Sequence, residues 1–203
     1  MPVDGRIARG DATRRLVLRR AVALASVDGL AGLSLGRLAT ELELSKSGVF
    51  ALFGSKEELQ LATIEAALEI FRSHVVTPAS AVSPGLPRLR AACEKWLDYS
   101  EKRVFPGGCF FCNVGAEFDA RPGRVHDAVA AASGSFAAFL RETAREAVAL
   151  GHVDADPEVL AFELHALGRA ANADAMLNGG TRAYELARRA IRARLAGAHF
   201  QST

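Results

Sequence analysis

The chain has 203 residues, of which 50% are hydrophobic and 24% are charged, a composition typical of a globular protein with one or two domains. No stretch approaches the roughly 20 continuous apolar residues of a membrane span, and the N-terminal stretch MPVDGRIARGDATRRL lacks the apolar core of a signal peptide. We therefore expect no membrane partner. Three cysteines are too few for a disulfide scaffold, so we expect the protein to work in a reducing cytoplasm.

Positive charge is concentrated in the N-terminal quarter. Residues 1–56 hold nine Lys and Arg against five acidic residues, a balance of +4, whereas the remaining 16 basic and 18 acidic residues balance at −2. A basic segment on a faintly acidic body is typical of a module that faces a polyanion. An arginine-rich solvated surface would give the same balance, and charge alone does not choose between the two.

The first three helices are predicted from their cap residues. The first helix should start near Asp11 or Thr13 and end at Gly29, which allows a left-handed residue there. Ser34 is the expected N-cap of a short second helix, and a tight turn leads to Ser45 as the N-cap of a third. Together these helices form a predicted three-helix head.

The rest of the chain also has helical periodicity, and no alternating strand pattern accompanies it. Ser55 and Glu58 form the capping box of a long fourth helix, and the stretch TPASAVSPGLP breaks the chain after it. Further helices should start near Leu86, within CFFCNVGAEFDA, near Pro122, at Asp156-Pro157 and after the glycines of NGG. We therefore predict an all-α fold of about nine helices, with the head followed by a larger helical body.

The second and third helices have the spacing of a helix-turn-helix. The small residues Ser45, Ser47 and Gly48 would let the start of the third helix approach bases in a major groove about 12 Å wide. Val49, Phe50 and Phe53 are expected to anchor that helix to its neighbours. A plain helical hairpin that contains a glycine is the alternative interpretation of this spacing.

The stretch RRAVALASVDGLAGLSLGRLATELELSKSGVFALFGSKEEL resembles the N-terminal DNA-binding domain of TetR/AcrR-type transcriptional regulators. The similarity runs over about residues 13–60 and includes the entry G-L-x-x-L-S-L-x-x-L-A, then S-K-S-G, F-x-x-F and S-K-E-E-L. The segment FPGGCFFCNVGAEFDARPGRVHDAV is similar to one recurring type of ligand-binding domain in that family.

The resemblance implies a set of DNA-binding residues. They are Ser34, Arg37, Thr40, Ser45, Lys46, Ser47, Gly48, Phe50 and Lys56. Phe50 stands where the family usually has a tyrosine that reaches a phosphate, and Leu52 stands where a histidine is frequent. Since both positions lose a polar contact with DNA, basic residues should contribute more of the affinity for DNA. These are Lys46, Lys56, Arg6, Arg9, Arg14 and Arg15.

The resemblance also implies a homodimer formed through the last two long helices. We assign residues 1–56 to the helix-turn-helix domain with its basic arm, and residues 57–203 to a ligand-binding and dimerisation domain. The stripe of Leu160, Leu164, Leu167 and Ala171 suits close helix packing. The same stripe could instead face the core of its own chain.

Aromatic residues between positions 96 and 139 indicate where an effector could bind. Apolar cavities with aromatic walls are the usual ligand sites of helical bodies, although most buried aromatic residues belong to ordinary cores. We expect Trp96, Tyr99, Phe110, Phe111 and Phe136 to include the walls of an effector site. Since no charged cluster accompanies them, the expected small-molecule effector is apolar or mildly polar.

The C-x-x-C motif at Cys109 and Cys112 suggests an alternative chemistry, as a redox pair or half of a zinc site. A second ligand pair and a strand-to-helix setting are both missing, so we expect these cysteines to pack as small apolar residues and predict no metal or cofactor. No catalytic motif is present, and no catalytic residue is proposed.

The prediction is a DNA-binding regulator, acting as a repressor, that a small molecule releases from a palindromic operator. A thiol- or metal-responsive regulator on the same fold is one alternative. A helical enzyme or adaptor that does not bind DNA is the other.

Overall fold

The computed structural model describes the backbone of residues 5–196 and the side chains of residues 10–196, and in this range all regular structure is helical. The nine helices of this range are α1 Gly5–Asp28, α2 Leu35–Glu41, α3 Lys46–Phe53, α4 (Lys56–Phe71, then a π-helical turn Arg72–Val76, then Thr77–Ser80), α5 Leu86–Glu101, α6 Phe110–Phe118, α7 Arg124–Ala149, α8 Pro157–Asn178 and α9 Arg182–Ala196. The predicted all-α fold is confirmed. None of these helices is long and apolar enough to cross a membrane.

Four predicted N-caps are confirmed by their hydrogen bonds to nearby backbone N–H groups. Ser34, Ser45 and Ser55 each accept a hydrogen bond from the backbone N–H three residues later, at 3.0, 3.1 and 3.1 Å. Asp156 accepts two backbone hydrogen bonds, at 2.7 and 3.2 Å. Helix α1 begins earlier than predicted, at Gly5, and continues through Asp11 without a break.

Helix α4 contains a feature that periodicity did not predict, the π-helical turn at Arg72–Val76. The carbonyl of Ile70 accepts a hydrogen bond from the Ser73 hydroxyl at 2.8 Å and lies 2.9 Å from Nδ1 of His74. Beyond the turn, the helix continues through Pro78, which has no N–H to donate. The break expected at Thr77 therefore begins four residues later, after Ser80.

The chain divides into two compact units. The head unit comprises Met1–Glu69 and Phe105–Ala130, and the body unit comprises Ile70–Val104 and Ala131–Thr203. The division falls within α4 and within α7. The head unit thus contains α1–α3, the first part of α4, and α6. The predicted domain boundary at residue 56 stays a prediction.

The core of the head unit is built from one face of each helix. In α1, this face consists of Val17, Ala21, Leu24 and Ala25, each at most 7% exposed. The other helices and the turn after α1 contribute further buried residues: Leu30, Leu33, Leu38, Val49, Phe53, Leu59, Phe110 and Val114. Burial of such side chains stabilises the fold by about 25 cal/mol for each Å² of apolar surface.

The body unit contains a charged contact between α9 and α5. Arg188 has a side chain only 16% exposed and pairs with Glu94, Asp98 and Glu101 at 3.0, 2.7 and 2.7 Å. Desolvation opposes the charged form of Asp98, but hydrogen bonds from Lys102 and Arg188 outweigh it and lower its pKa. The three carboxylates of α5 thus hold α9 by its arginine.

Helix α8 approaches α5 closely at Gly168, beside the Trp96 ring. A Cβ atom at position 168 would overlap Cζ3 of Trp96, so any larger residue would displace the indole. Trp96 is itself buried, at 3% exposure. A glycine in the middle of α8 is therefore explained by packing, although glycine is a poor helix former.

We expect Gly168→Ala to destabilise the protein by about 1–3 kcal/mol, since the added methyl group overpacks the Trp96 ring. Gly134→Ala in α7 is the matched control, because nothing lies within 4 Å of its added Cβ. That control should be neutral or stabilising by up to about 1 kcal/mol. Urea unfolding of both variants measures the difference, and equal stabilities would contradict the packing argument.

Candidate functional site

Helices α2 and α3 are joined by a tight turn whose backbone groups are hydrogen-bonded. Leu42 N donates to Leu38 O at 3.1 Å, and Leu44 N donates to Ala39 O at 2.8 Å. Glu43 adopts a positive φ of 54°, which lets the chain reverse between the two helices. The result is the helix-turn-helix that the spacing predicted.

Helix α3 has one buried and one exposed face. Val49 and Phe53, four residues apart, are 1% and 7% exposed. Phe50 was expected to be a third anchor, and this expectation is wrong, because its side chain is 54% exposed. It shares the exposed face with Lys46 and Ser47, four and three residues before it.

The first turn of α3 is shaped by Ser45 and Gly48. The Ser45 hydroxyl accepts a hydrogen bond from Gly48 N at 3.1 Å, and a Cβ atom at position 48 would lie 2.8 Å from that hydroxyl oxygen. Gly48 therefore leaves room for the Ser45 cap. Lys46 and Ser47 are exposed beside it, so the start of α3 offers a small, polar and basic surface.

Three other predicted DNA-binding residues make contacts within the head unit. Ser34 caps α2, and the Thr40 hydroxyl donates to Gly36 O at 3.1 Å. Arg37 pairs with Asp28 at 2.6 Å and Glu41 at 2.9 Å. Hydrogen bonds to these two carboxylates, that to Asp28 first, raise the pKa of Arg37. The three side chains thus help to fix α2, and a DNA contact would be an additional role.

Lys56 also has an intramolecular partner. Its ammonium donates to the carbonyl of Ala31, in the turn between α1 and α2, at 2.6 Å. The residue is still exposed, at the start of α4. The structure thus gives Lys56 a structural contact that its sequence position did not indicate.

Basic residues of α1 add to the charge of the head unit. Arg14 lies over the Phe53 ring, 5.4 Å from its centroid, and Arg20 pairs with Glu41 at 2.6 Å. Arg15 is exposed. The side chains of Arg6 and Arg9, predicted to belong to the basic arm, lie outside the described residues.

Three of the five predicted effector residues meet in one aromatic cluster of the body unit. Phe136 packs edge-on against both Trp96 and Phe71, each with ring centroids 5.0 Å apart. Tyr99 contacts Phe71 at 5.2 Å, and His165 stacks on Trp96 at 5.4 Å. The sequence interpretation missed Phe71 and His165 because they lie outside the aromatic-rich segment, although both occupy inward positions of helical patterns.

The other two predicted effector residues lie in the head unit. Phe110 is fully buried and Phe111 is 7% exposed, and their rings are 5.2 Å apart. Phe105 packs against Phe110 at 6.0 Å. The predicted set is therefore divided, with three members in the body cluster and two in the head core.

A groove of the body unit opens beside the aromatic cluster. Its cavity measures about 290 Å³ and is lined by Ala137, Arg141, Glu158, Ala161, Phe162 and His165. His165 belongs to both the groove and the cluster. Desolvation, followed by the charge of Arg169, lowers the pKa of His165 and favours its neutral imidazole. Three of the six lining residues are apolar, and the other three are Arg141, Glu158 and His165.

The apolar surface of α8 differs from the predicted one. Three of the four residues of the predicted stripe, Leu160, Leu164 and Ala171, are 0–4% exposed and belong to the core of their own chain, whereas Leu167 is half-buried. Of the two interpretations that the sequence left open, the core therefore applies to these three residues. Large apolar side chains are exposed elsewhere on α8 and α9: Val159 at 50%, Phe162 at 75%, Leu177 at 85% and Leu186 at 49%. Helical periodicity in the sequence identified the buried apolar stripe of α8 but did not identify the exposed apolar residues on its other side.

The cysteines have the surroundings of core residues. Cys93 is buried, and desolvation, with a smaller effect of Glu94, raises the pKa of its thiol to about 12. Cys109 is buried at the N-terminus of α6, and Cys112 is half-buried. Within the described part of the chain, no group of three or more His, Cys, Asp or Glu residues could hold a metal ion.

Sequence comparison identifies two matching families. The model of bacterial regulatory proteins of the tetR family matches residues 17–63, and the model of the tetracyclin repressor-like C-terminal domain matches residues 85–191. No curated protein matches the chain.

Solved structures share the fold. A TetR transcriptional regulator from Chloroflexus aurantiacus is 24% identical, with a TM-score of 0.85 over 93% of this chain and 96% of that one. A protein from Saccharomonospora viridis, solved in complex with choline, is 19% identical, with a TM-score of 0.78 over 92% and 96%. AibR, solved with isovaleryl coenzyme A and operator DNA, is 19% identical, with a TM-score of 0.70 over 88% and 95%.

The two family models match the helix-turn-helix and the helical region after it, which contain the exposed face of α3 and most of the aromatic cluster. The C-terminal model alone covers more than half of the sequence. The chain belongs to the TetR family and is a DNA-binding transcriptional regulator, not an enzyme.

Proposed function

We propose that this regulator is a repressor that binds a palindromic operator as a homodimer and is released by a small-molecule effector. The observation that carries the proposal is the exposed face of α3. The opposite face of the helix is buried, and the exposed residues on or just before the helix are Ser45, Lys46, Ser47, Gly48 and Phe50. A short helix with a small, polar start and a buried back suits insertion into a major groove.

In this proposal, phosphate contacts supply most of the affinity and α3 supplies the sequence preference. The exposed ammonium of Lys46 is suited to a phosphate, as are the N–H groups at the start of α3. The aromatic ring of Phe50 offers apolar contact, for example to a thymine methyl group. Ser34, Arg37, Thr40 and Lys56 are proposed as flanking backbone contacts that also stabilise the head.

The homodimer is supported by the exposed apolar residues of α8 and α9. Phe162 and Leu177 are 75% and 85% exposed, and exposed apolar patches are typical of protein–protein interfaces. A two-fold dimer would present two copies of α3 to one duplex. The operator should then be a near-palindrome with half-sites about 34–36 Å apart, or a multiple of that distance.

The effector site is proposed at the aromatic cluster of the body unit. The rings of Trp96, Tyr99 and Phe136 would contact an apolar or mildly polar molecule, and Phe71 connects the cluster to α4. Helix α4 begins at Lys56, which is bonded to the head. Displacement of Phe71 by a ligand would therefore act on the helix that reaches the DNA-binding motif, and couplings of roughly 5- to 150-fold are usual for such links.

The proposal as a whole is tested by selecting bound duplexes from a random DNA pool and then screening small molecules by thermal shift. We expect an enriched near-palindrome, and stabilising molecules that release it from the protein. Enrichment of an asymmetric single half-site would contradict the dimeric operator. Ligands that stabilise the protein without changing operator affinity would contradict effector release.

Lys46→Ala should weaken binding to all DNA sequences and reduce the dependence of log K on log salt by about one unit, because one phosphate contact is lost. Fluorescence anisotropy with operator and unrelated duplexes, over a range of salt concentrations, measures both effects. Lys95→Ala removes the same charge from an exposed site of the body unit and is the matched control. A salt slope equal to that of the control would exclude Lys46 as a phosphate contact.

Phe162→Glu should convert the dimer into a monomer, since it places a charge on the exposed apolar face of α8. Losing the second half-site contact would reduce operator affinity by roughly 10²–10⁴-fold. Analytical ultracentrifugation and anisotropy give the two measurements. Leu150→Glu, at another exposed apolar residue, is the control and should remain dimeric. A Phe162→Glu protein that stays dimeric would place the interface elsewhere.

A further inference from the structure

The turn between α1 and α2 is held by a carboxylate from α6. Leu30 N donates to Oε2 of Glu117 at 2.7 Å, and Ala31 N donates to Oε1 of the same residue at 2.8 Å. The side chain of Glu117 is only 17% exposed. Each oxygen of one carboxylate therefore accepts one of two successive backbone N–H groups, and charge-assisted bonds of this kind are stronger than neutral ones.

Gly29 makes this contact possible. Its φ of 76° lies in the left-handed region that favours glycine. A Cβ atom at position 29 would also overlap Oε2 of Glu117, so a side chain would push the carboxylate out. The glycine that ends α1 thus has a second function, which is to admit Glu117.

The carbonyl groups of the same turn are bonded from α4. Leu30 O accepts a hydrogen bond from the amide of Gln60 at 2.8 Å, and Ala31 O accepts one from Lys56 at 2.6 Å. Donors from α4 and an acceptor from α6 thus bind both residues of the turn. The conformation of the turn is consequently set by side chains outside the helix-turn-helix.

The turn controls where α2 begins. Ser34, the N-cap of α2, follows Ala31 by three residues. Arg37 in α2 pairs with Asp28 at the end of α1, and this ion pair also requires the turn to keep its shape. Because α2 and α3 pack together through buried residues, a change in the turn would alter the direction of both helices relative to α1.

Helix α6 is firmly attached to α1 near this turn. The Asn113 amide donates to Ser26 O at 3.0 Å and to Gly107 O at 2.6 Å, and Gly107 N donates to the Ser26 hydroxyl at 3.1 Å. A Cβ atom at position 107 would overlap Ser26 O, so the two backbones are in direct contact. The matched C-terminal domain model includes α6, yet α6 packs within the head unit.

We propose that Glu117 is a positioning residue for DNA binding. Its carboxylate fixes the turn that aims α2 and α3, and this makes operator affinity depend on the placement of α6. The inference rests on the proposed role of α3 in DNA binding and adds a residue far outside the helix-turn-helix motif. Loss of the carboxylate would leave two backbone N–H groups without their acceptor and let the turn adopt other conformations.

The test is Glu117→Gln, whose amide can accept from one N–H group but presents an N–H₂ group to the other. We expect operator affinity to fall roughly 5- to 30-fold, and hydrogen exchange of the Leu30 and Ala31 amides to accelerate. The substitution removes a negative charge, which by itself should strengthen DNA binding. A loss of affinity therefore cannot come from the change in net charge.

Asp119→Asn is the control, since it makes the same charge change at an exposed position of the same segment, the C-cap of α6. It should bind operator at least as tightly as the parent. Equal operator affinity of the two variants, with unchanged exchange at Leu30 and Ala31, would overturn the proposal. Failure of the parent protein to bind any operator would instead contradict the proposed function.

If Glu117→Gln does not fold, Glu117→Asp decides the question. Aspartate keeps the charge but is one methylene shorter, so its carboxylate cannot reach both N–H groups from the same backbone position. Weakened operator binding by this variant, with an unchanged melting temperature, supports the positioning role. Full operator affinity with only a lower melting temperature would show that Glu117 is a stability residue and overturn the proposal.

Discussion

The head unit depends on one constraint, the direct backbone contact between Ser26 in the last turn of α1 and Gly107 before α6. No side chain fits at position 107, because its Cβ would overlap the Ser26 carbonyl. Asn113 bonds both backbones and locks the contact. Once α6 is fixed there, Glu117 reaches the following turn and determines how the chain enters α2. The orientation of the helix-turn-helix thus follows from a contact between segments 81 residues apart.

The body unit depends on a different constraint, the packing of aromatic rings against α8 at Gly168, which has no side chain. Gly168 lets α8 approach Trp96, and Trp96 then packs against Phe136 and His165. Phe71 joins this cluster from α4, directly before the π-helical turn. π-Helical turns are often found at functional sites, and here the turn follows the residue through which the proposed effector site meets α4.

Local and non-local signals in the sequence differed in what they could predict. Ser34, Ser45, Ser55 and Asp156 were identified as caps because a cap bonds to N–H groups only two or three residues away. The expectation that Phe50 anchors α3 was wrong because it rested only on its apolar character, and the structure exposes the side chain. In α8, the sequence left open whether the stripe that contains Leu160 faces a dimer partner or its own core, and it did not indicate that Phe162 is exposed. An apolar pattern gives the period of a helix but not the direction in which each face points.

The all-α class, most of the helix starts, the helix-turn-helix and the family can all be read from the amino-acid order, because they rest on local hydrogen bonds, helical periodicity and a motif with fixed spacing. Three features became visible only in the folded chain: α6 packs in the head unit, Phe110 and Phe111 belong to the head core, and Glu117 holds the turn after α1. The physical reason is sequence distance. Glu117 lies 87 residues from its partner Leu30, and a single pair of hydrogen bonds across such a distance leaves no periodic pattern along the chain.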